Sequence, residues 1–219
     1  MLSPDGRTPV NLSAATGSAA PASPDPAALQ AFQDLLAGNR RFVEGDVQHP
    51  NQDESRRRAL ESGQAPFAMV LGCSDSRVPV ELLFDQGLGD LFVARNAGHV
   101  LGRSMQASVE FAVEVLGVQV VLVLGHESCG AVGATVEAIQ KGTTLPGEMP
   151  ILVDQVKEHL DPADPTEQAV ETHVLGTLTD LRSRSLIVRE AEEKGSIVVA
   201  GAVYGLGDGG VRVISGPEA

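Results

Sequence analysis

The sequence predicts an α/β fold: a mainly parallel central β-sheet flanked by helices, with an N-terminal helical arm and an edge strand near the C-terminus. Two observations predict it. Residues 67–72, 119–124 and 196–204 form short, almost wholly apolar runs, the pattern of strands buried on both faces of a parallel sheet. Between these runs, apolar residues recur at helical spacing. Strands that alternate with helices build βαβ units.

Each element has its own signal. Residues 1–24 are rich in Ser, Ala, Pro, Gly and Thr and lack apolar periodicity, so they read as a disordered tail. Residues 25–219 read as a single domain. Asp25 and Pro26 make a helix start, an acidic N-cap followed by proline in the first turn. Leu29, Phe32, Leu35 and Leu36 then share one face, and Gly38 or Gly45 ends the helix. A second helix is expected over 53–62, stopping near Gly63. Together these make residues 25–63 a helical arm, whose apolar stripe must cover either its own domain or a partner subunit.

After the strand at 67–72, Cys73 is expected just past the strand's C-terminal end, where open α/β sheets place their ligands. Residues 91–94 read as another strand, which delivers Arg95, Asn96, Ala97 and Gly98. Ser104 is expected to cap a helix with Val109, Ala112, Val113 and Leu116 inward. The strand at 119–124 leads to Gly125 and His126. A helix follows from Cys129 or Gly130 to Lys141 and stops at Gly142. Residues 146–165 contain four prolines and a helix around 151–159. One long helical segment is expected over 166–194. The strand at 196–204 is followed by a turn at 205–210 and the edge strand at 211–214.

At 219 residues the chain fits one domain. Apolar residues make up 42% and aromatics only 3%, with no Trp, so the core is expected to be built mainly from Val, Leu, Ile and Ala. A formal net charge of -13 argues against a nucleic-acid partner, which needs clustered basic charge. Arg56, Arg57 and Arg58 are flanked by Asp53, Glu54 and Glu61 and read as a solvated helix face. No stretch approaches the ~20 apolar residues of a membrane span. The first thirty residues lack a basic segment followed by an apolar one, so the expected setting is cytoplasmic, with no membrane partner.

The chemistry concentrates in residues 73–77, Cys-Ser-Asp-Ser-Arg, and 125–130, Gly-His-Glu-Ser-Cys-Gly. They hold both cysteines of the chain and each follows a strand. Two thiols and one imidazole suit zinc. The spacing lacks the paired CxxC knuckles of a structural ribbon, and three ligands with one open position is a catalytic layout. The same pattern also fits two buried core thiols and a packed histidine. A disulfide between the two is disfavoured by a cytoplasmic setting. Arg77 is close enough in sequence to hold the Asp75 carboxylate, either as a plain surface ion pair or to keep it off the metal. The spacing argues against a thiol phosphatase, because that motif places Arg six residues after Cys and here the gap is four.

These residues resemble the β-class carbonic anhydrases. The motifs that carry the resemblance are Cys73-Ser-Asp-Ser-Arg77-Val78, Phe92-Val-Ala-Arg95-Asn96-Ala97-Gly98 and Gly125-His126-x-x-Cys129-Gly130. Residues 84–90, Phe-Asp-Gln-Gly-Leu-Gly-Asp, resemble actinobacterial members, and the resemblance spans residues 26–214. It implies reversible hydration of CO2 to bicarbonate and a proton by attack of zinc-bound hydroxide, the reaction of a carbonate dehydratase (a lyase). It further implies one Zn2+ per chain on Cys73, His126 and Cys129, with Asp75 and Arg77 as the dyad that gates the fourth position and Asp75 as fourth ligand in a closed state.

Gln86 matches the family's substrate-orienting glutamine, which comes from the neighbouring subunit. This implies a homodimer or a dimer-of-dimers tetramer. Val78, Ala97 and Gly98 match positions near the small CO2 pocket. Arg95 and Tyr204 match two of the residues with which some members bind bicarbonate at a second, inhibitory site, but the Trp of that site is Val70 here. Relatives that hydrolyse CS2 or COS share the ligands. His99 is a candidate for carrying the proton away, or a packing histidine. His49, His159 and His173 read as structural.

Overall fold

The computed structural model describes residues 23–160 and 165–217. Of the expected tail over 1–24, only Ser23 and Pro24 fall among them. The chain runs α1 (Pro26–Glu44), α2 (Glu54–Ala59), β1 (Ala68–Cys73), α3 (Val80–Leu83), β2 (Leu91–Asn96), α4 (Arg103–Glu114), β3 (Val120–His126), α5 (Gly130–Lys141), α6 (Pro150–Lys157), α7 (Thr166–Arg184), α8 (Leu186–Glu193), β4 (Val198–Tyr204) and β5 (Val211–Ser215). The strands form one sheet in the order β2-β1-β3-β4-β5. The first four are parallel, and β5 closes one edge antiparallel to β4, as expected.

Side-chain alternation along the strands divides the core between the two faces. Met69, Leu71, Val121, Val123 and Val199 point into one layer with Val109 and Ala112 of α4, Val132 of α5, Val174 and Leu178 of α7 and Val188 of α8. Ala68, Val70, Leu122, Leu124, Val198 and Ala200 point into the other, where they meet Phe32, Leu35 and Leu36 of α1 and Val80 and Leu83 of α3. The apolar stripe of the N-terminal arm therefore covers its own sheet. Asp25 caps α1 by accepting from the Ala27 N–H, and Gly45 ends it at φ 73°, a left-handed turn that glycine adopts without a steric penalty.

Gly38 lies inside α1, where a Cβ would stand 1.8 Å from the Phe84 carbonyl oxygen. Next to it, the buried Asn39 amide donates to the Leu83 and Gly209 carbonyls and accepts from the Val211 N–H. One side chain thus ties the arm to α3 and to the turn before β5.

Several expectations need correction. Cys73 is the last residue of β1 rather than the first beyond it, because Cys73 and Asn96 still pair in the β1–β2 ladder. For the same reason β2 continues through Arg95 and Asn96. Ser104 is not a cap: α4 starts after Gly102 without a side-chain cap bond, and the Ser104 carbonyl accepts from the Ser108 hydroxyl. The segment over 166–194 is two helices. Ser185 is extended, with φ -108° and ψ 110°, and its buried hydroxyl accepts from the Val188 N–H to start α8. A serine that bonds local backbone favours such a cap over helix interior. The four-residue α3 and the 3-10 turns at Leu60–Ser62 and Ala97–His99 are too short for periodicity to reveal.

The Gly38 contact gives a stability test. Gly38→Ala should destabilise the fold by about 3 kcal/mol, the upper range for overpacking, because the obstructing atom is backbone. Urea unfolding measures it, and a change under about 0.5 kcal/mol would mean that α1 does not sit this close to Phe84.

Candidate metal centre

β1 and β3 pair in parallel with Gly72 opposite Leu124, so both strands end at the same side of the sheet. Cys73 ends β1 and His126 ends β3. Cys129 immediately precedes α5. The ligand atoms of Cys73, His126 and Cys129 all lie within 4.8 Å of one another, and the two sulfurs are 4.0 Å apart. Sulfurs bound at 2.3 Å to a tetrahedral ion lie about 3.8 Å apart, so the spacing suits zinc.

His126 supplies the sharper test of fit. Its Nδ1 faces the Glu127 carbonyl at 2.9 Å, which fixes the proton on Nδ1, by the donor and acceptor count. Its Nε2 is buried with no hydrogen-bond partner. An orphaned imidazole lone pair facing two thiols is the donor set of a metal ligand, with the second ring nitrogen held as metal-binding histidines usually are. The thiols carry the same message. The Cys129 S–H, together with the His126 ring and the Gly98 N–H, pulls the Cys73 thiol well below its usual range, with burial opposing. The resulting anion and burial push Cys129 up. Both can be thiolates together only with a cation between them.

Asp75 reaches over this group. Its Oδ2 is 3.8 Å from His126 Nε2. Arg77 grips the carboxylate bidentately, with Nε on Oδ1 at 2.9 Å and the terminal nitrogen on Oδ2 at 2.7 Å. That pairing holds the carboxyl well below the usual carboxylate range, with burial opposing. Arg77 also donates to the Ser128 carbonyl. Sequence reasoning missed the brace below: Arg95 donates to the carbonyls of Cys73 and Asp75 at 2.7 and 2.6 Å. Its guanidinium therefore fixes the loop that carries the cysteine and the acid. Among the residues matched to an inhibitory bicarbonate site, Tyr204 lies in register with His126 and Val70 is buried against the α1 side of the sheet.

Gly98 adopts φ 71° and donates its N–H to Cys73 Sγ at 3.3 Å. Val78 is fully buried in the α1 layer, and Ala97 is exposed beside Gly98. Gln86 is not brought to this group within one chain. It lines a concavity with Phe67 and Gln119, which precede β1 and β3, at the far end of the strands. Six residues of β1 place that end roughly 20 Å away. His99 is fully buried with neither ring nitrogen bonded, which places it in packing.

The family model for carbonic anhydrase matches residues 68–211. Carbonic anhydrase 2 of Mycobacterium tuberculosis is 42% identical over 186 residues, covering 83% of this chain and 90% of the relative. The carbonic anhydrase of Mycolicibacterium smegmatis is 42% identical over 195 residues, covering 85% and 93%. Among solved structures, the Coccomyxa β-carbonic anhydrase in complex with acetazolamide superposes with a TM-score of 0.64 at 27% identity, covering 84% of this chain and 86% of that one. The β-carbonic anhydrase CafA of Aspergillus fumigatus gives 0.63 at 29% identity, covering 86% and 92%. With a fold, a Cys-His-Cys group and close relatives all in agreement, the chain belongs to the β-class of the carbonic anhydrase family, whose activity is that of a carbonate dehydratase.

Proposed function

We propose that this chain hydrates CO2 reversibly to bicarbonate and a proton at one zinc ion per chain, held by Cys73, His126 and Cys129. The observation that carries the reading is the orphaned, buried Nε2 of His126, aimed among two thiols with a carboxylate oxygen 3.8 Å away. Carbon dioxide offers an electrophilic carbon and few groups to bind, so the site needs a strong nucleophile more than a strong grip. Zinc, when bound, supplies it by lowering the pKa of a coordinated water, to about 7 in the carbonic anhydrase with three imidazole ligands that defines this behaviour.

The chain's own residues then have distinct tasks. Asp75, an acceptor only while Arg77 keeps it ionised, takes a hydrogen bond from the nucleophile and fixes its direction. Arg77 holds Asp75 away from the fourth position. Were the pair to open, Asp75 would be free to reach the fourth position and shut the site, so the dyad would act as a gate. By the family resemblance, Val78, Ala97 and Gly98 would stand near the small pocket that admits CO2. Arg95 keeps the 73–75 backbone from shifting as the gate works.

Gln86 orients the substrate from a second subunit. Two facts support this: Gln86 lies far from Cys73 in its own chain, and Ala97 is exposed beside the site. The assembly is then a homodimer or a dimer of dimers. The reaction suits a cytoplasmic protein, and no helix among the described residues is long and apolar enough to cross a membrane.

Stopped-flow hydration rates should rise between about pH 7 and pH 8.5 as the nucleophile ionises; a flat profile would contradict the mechanism. Asp75→Ala should keep its zinc and lose about 100-fold in rate, the lower range for a positioned proton-handling group. Unchanged hydration in that variant would remove Asp75 from the reaction.

Gln86 has a separate test. Gln86→Ala and Cys73→Ser should each be inactive alone. After co-refolding, half the dimers are mixed and each has one complete site, so about a quarter of wild-type activity should return. No recovery would mean that Gln86 does not serve a neighbour's site.

A further inference from the structure

Three of the five histidines lie together beside the metal centre. The His99 and His173 ring centres are 4.4 Å apart, and those of His159 and His173 are 5.0 Å apart. His173 Nε2 is 2.8 Å from the Gly98 carbonyl oxygen. His173 Nδ1 is 2.8 Å from His159 Nδ1, and His159 Nε2 is 3.1 Å from Asp180 Oδ2. Gly98 is the residue whose N–H bonds Cys73 Sγ. The site for His159 is built into α7: at Gly176 a Cβ would stand 2.2 Å from the His159 ring, so any side chain there displaces the imidazole.

The protons in this chain can be counted. A carbonyl only accepts, so His173 Nε2 carries a proton. Burial holds the His173 imidazole down to about 4, so that ring is neutral and its Nδ1 accepts. His159 Nδ1 must therefore donate. At its other nitrogen His159 meets an Asp180 carboxylate oxygen that Arg184 also grips at 2.8 Å, and a carboxylate only accepts. His159 Nε2 must donate as well, and a ring that donates from both nitrogens is an imidazolium.

We propose that His159 and His173 are positioning residues of the metal centre: a two-imidazole chain holding one extra proton, which holds Gly98 by its carbonyl so that the residue's own N–H, in the preceding peptide, stays on Cys73 Sγ. The chain rests on the zinc reading above for its purpose, not for its geometry. Among the described residues, the charged groups around it are Asp180, which accepts from His159, Arg184, which draws on the same carboxylate, and Glu158, 3.5 Å from Arg184. His99 stacks on His173 without a hydrogen bond of its own. A peptide N–H on a ligating sulfur draws off part of its charge and fixes its direction, which orients the ligand and tunes the metal. Loss of the extra proton would leave two acceptors facing each other, either the two Nδ1 atoms or His159 Nε2 and the Asp180 carboxylate, and the chain would part.

The test begins with imidazole 15N NMR at pH 7 on the full chain, metal-free and zinc-loaded, with signals assigned by single His→Gln variants. The expected pattern is protons on both nitrogens of His159 and on Nε2 alone of His173. A single proton on His159, or Nδ1 protonation of His173, overturns the proposal. The second arm is zinc affinity by chelator competition. His173→Leu should weaken zinc binding about tenfold, while His173→Gln, whose amide can still donate to Gly98, should restore most of it. Unchanged affinity in the leucine variant, or equal loss in both variants, also overturns it. If the leucine variant does not fold, the glutamine variant and the protonation pattern decide. A wild-type chain that takes up no zinc overturns the metal reading instead, and the metal-free spectrum still tests the imidazole chain.

Discussion

The ladder between β1 and β3 holds Gly72 opposite Leu124, so the two strands leave the sheet side by side with Cys73 and His126 at their tips. Parallel neighbours in such a sheet end on the same side, and this is where open α/β sheets bind their ligands. Cys129 then needs only the short connection into α5 to complete the group. A shift of one residue in this register would carry every side chain of a strand to the opposite face. It would bury the wrong set and separate the sulfur from the imidazole. Packing of Leu122 and Leu124 on one face and Val121 and Val123 on the other prevents that shift, so the core and the site are specified together.

Around this pair, backbone carbonyls are held by cationic and amide side chains. Arg95 fixes the carbonyls of Cys73 and Asp75, Arg77 reaches that of Ser128, and Asn39 joins three elements through one amide. These bonds turn loops into rigid supports. Hydrogen bonds from charged donors are stronger than neutral ones. The site therefore has a fixed acid, a fixed sulfur and a fixed imidazole around one central point.

Much of this was legible in the sequence. The apolar runs gave β1, β3 and β4, and the Asp25-Pro26 start, Gly45 and Gly142 marked helix ends that the structure keeps. The Cys-His-Cys group was legible because its three residues flank strand ends. Other features were not. Ser185 divides α7 from α8 through a single hydroxyl bond, which periodicity cannot register. Arg95 reads in the sequence as a strand end, and only the β1–β2 pairing turns it towards the 73–75 carbonyls. His159 and His173 lie far from the site motifs in sequence. Their link to Gly98 exists only because α7 packs on the face of the sheet below the metal centre, with Gly176 leaving room for a ring.

The central claim is that two sulfurs and one imidazole of this chain hold zinc. X-ray absorption at the zinc edge of the purified, zinc-loaded protein tests it most directly. The account predicts two sulfurs at about 2.3 Å, one nitrogen at about 2.0–2.1 Å and one further light atom. A shell of nitrogen and oxygen alone, or of four sulfurs, would place the metal elsewhere and contradict the account.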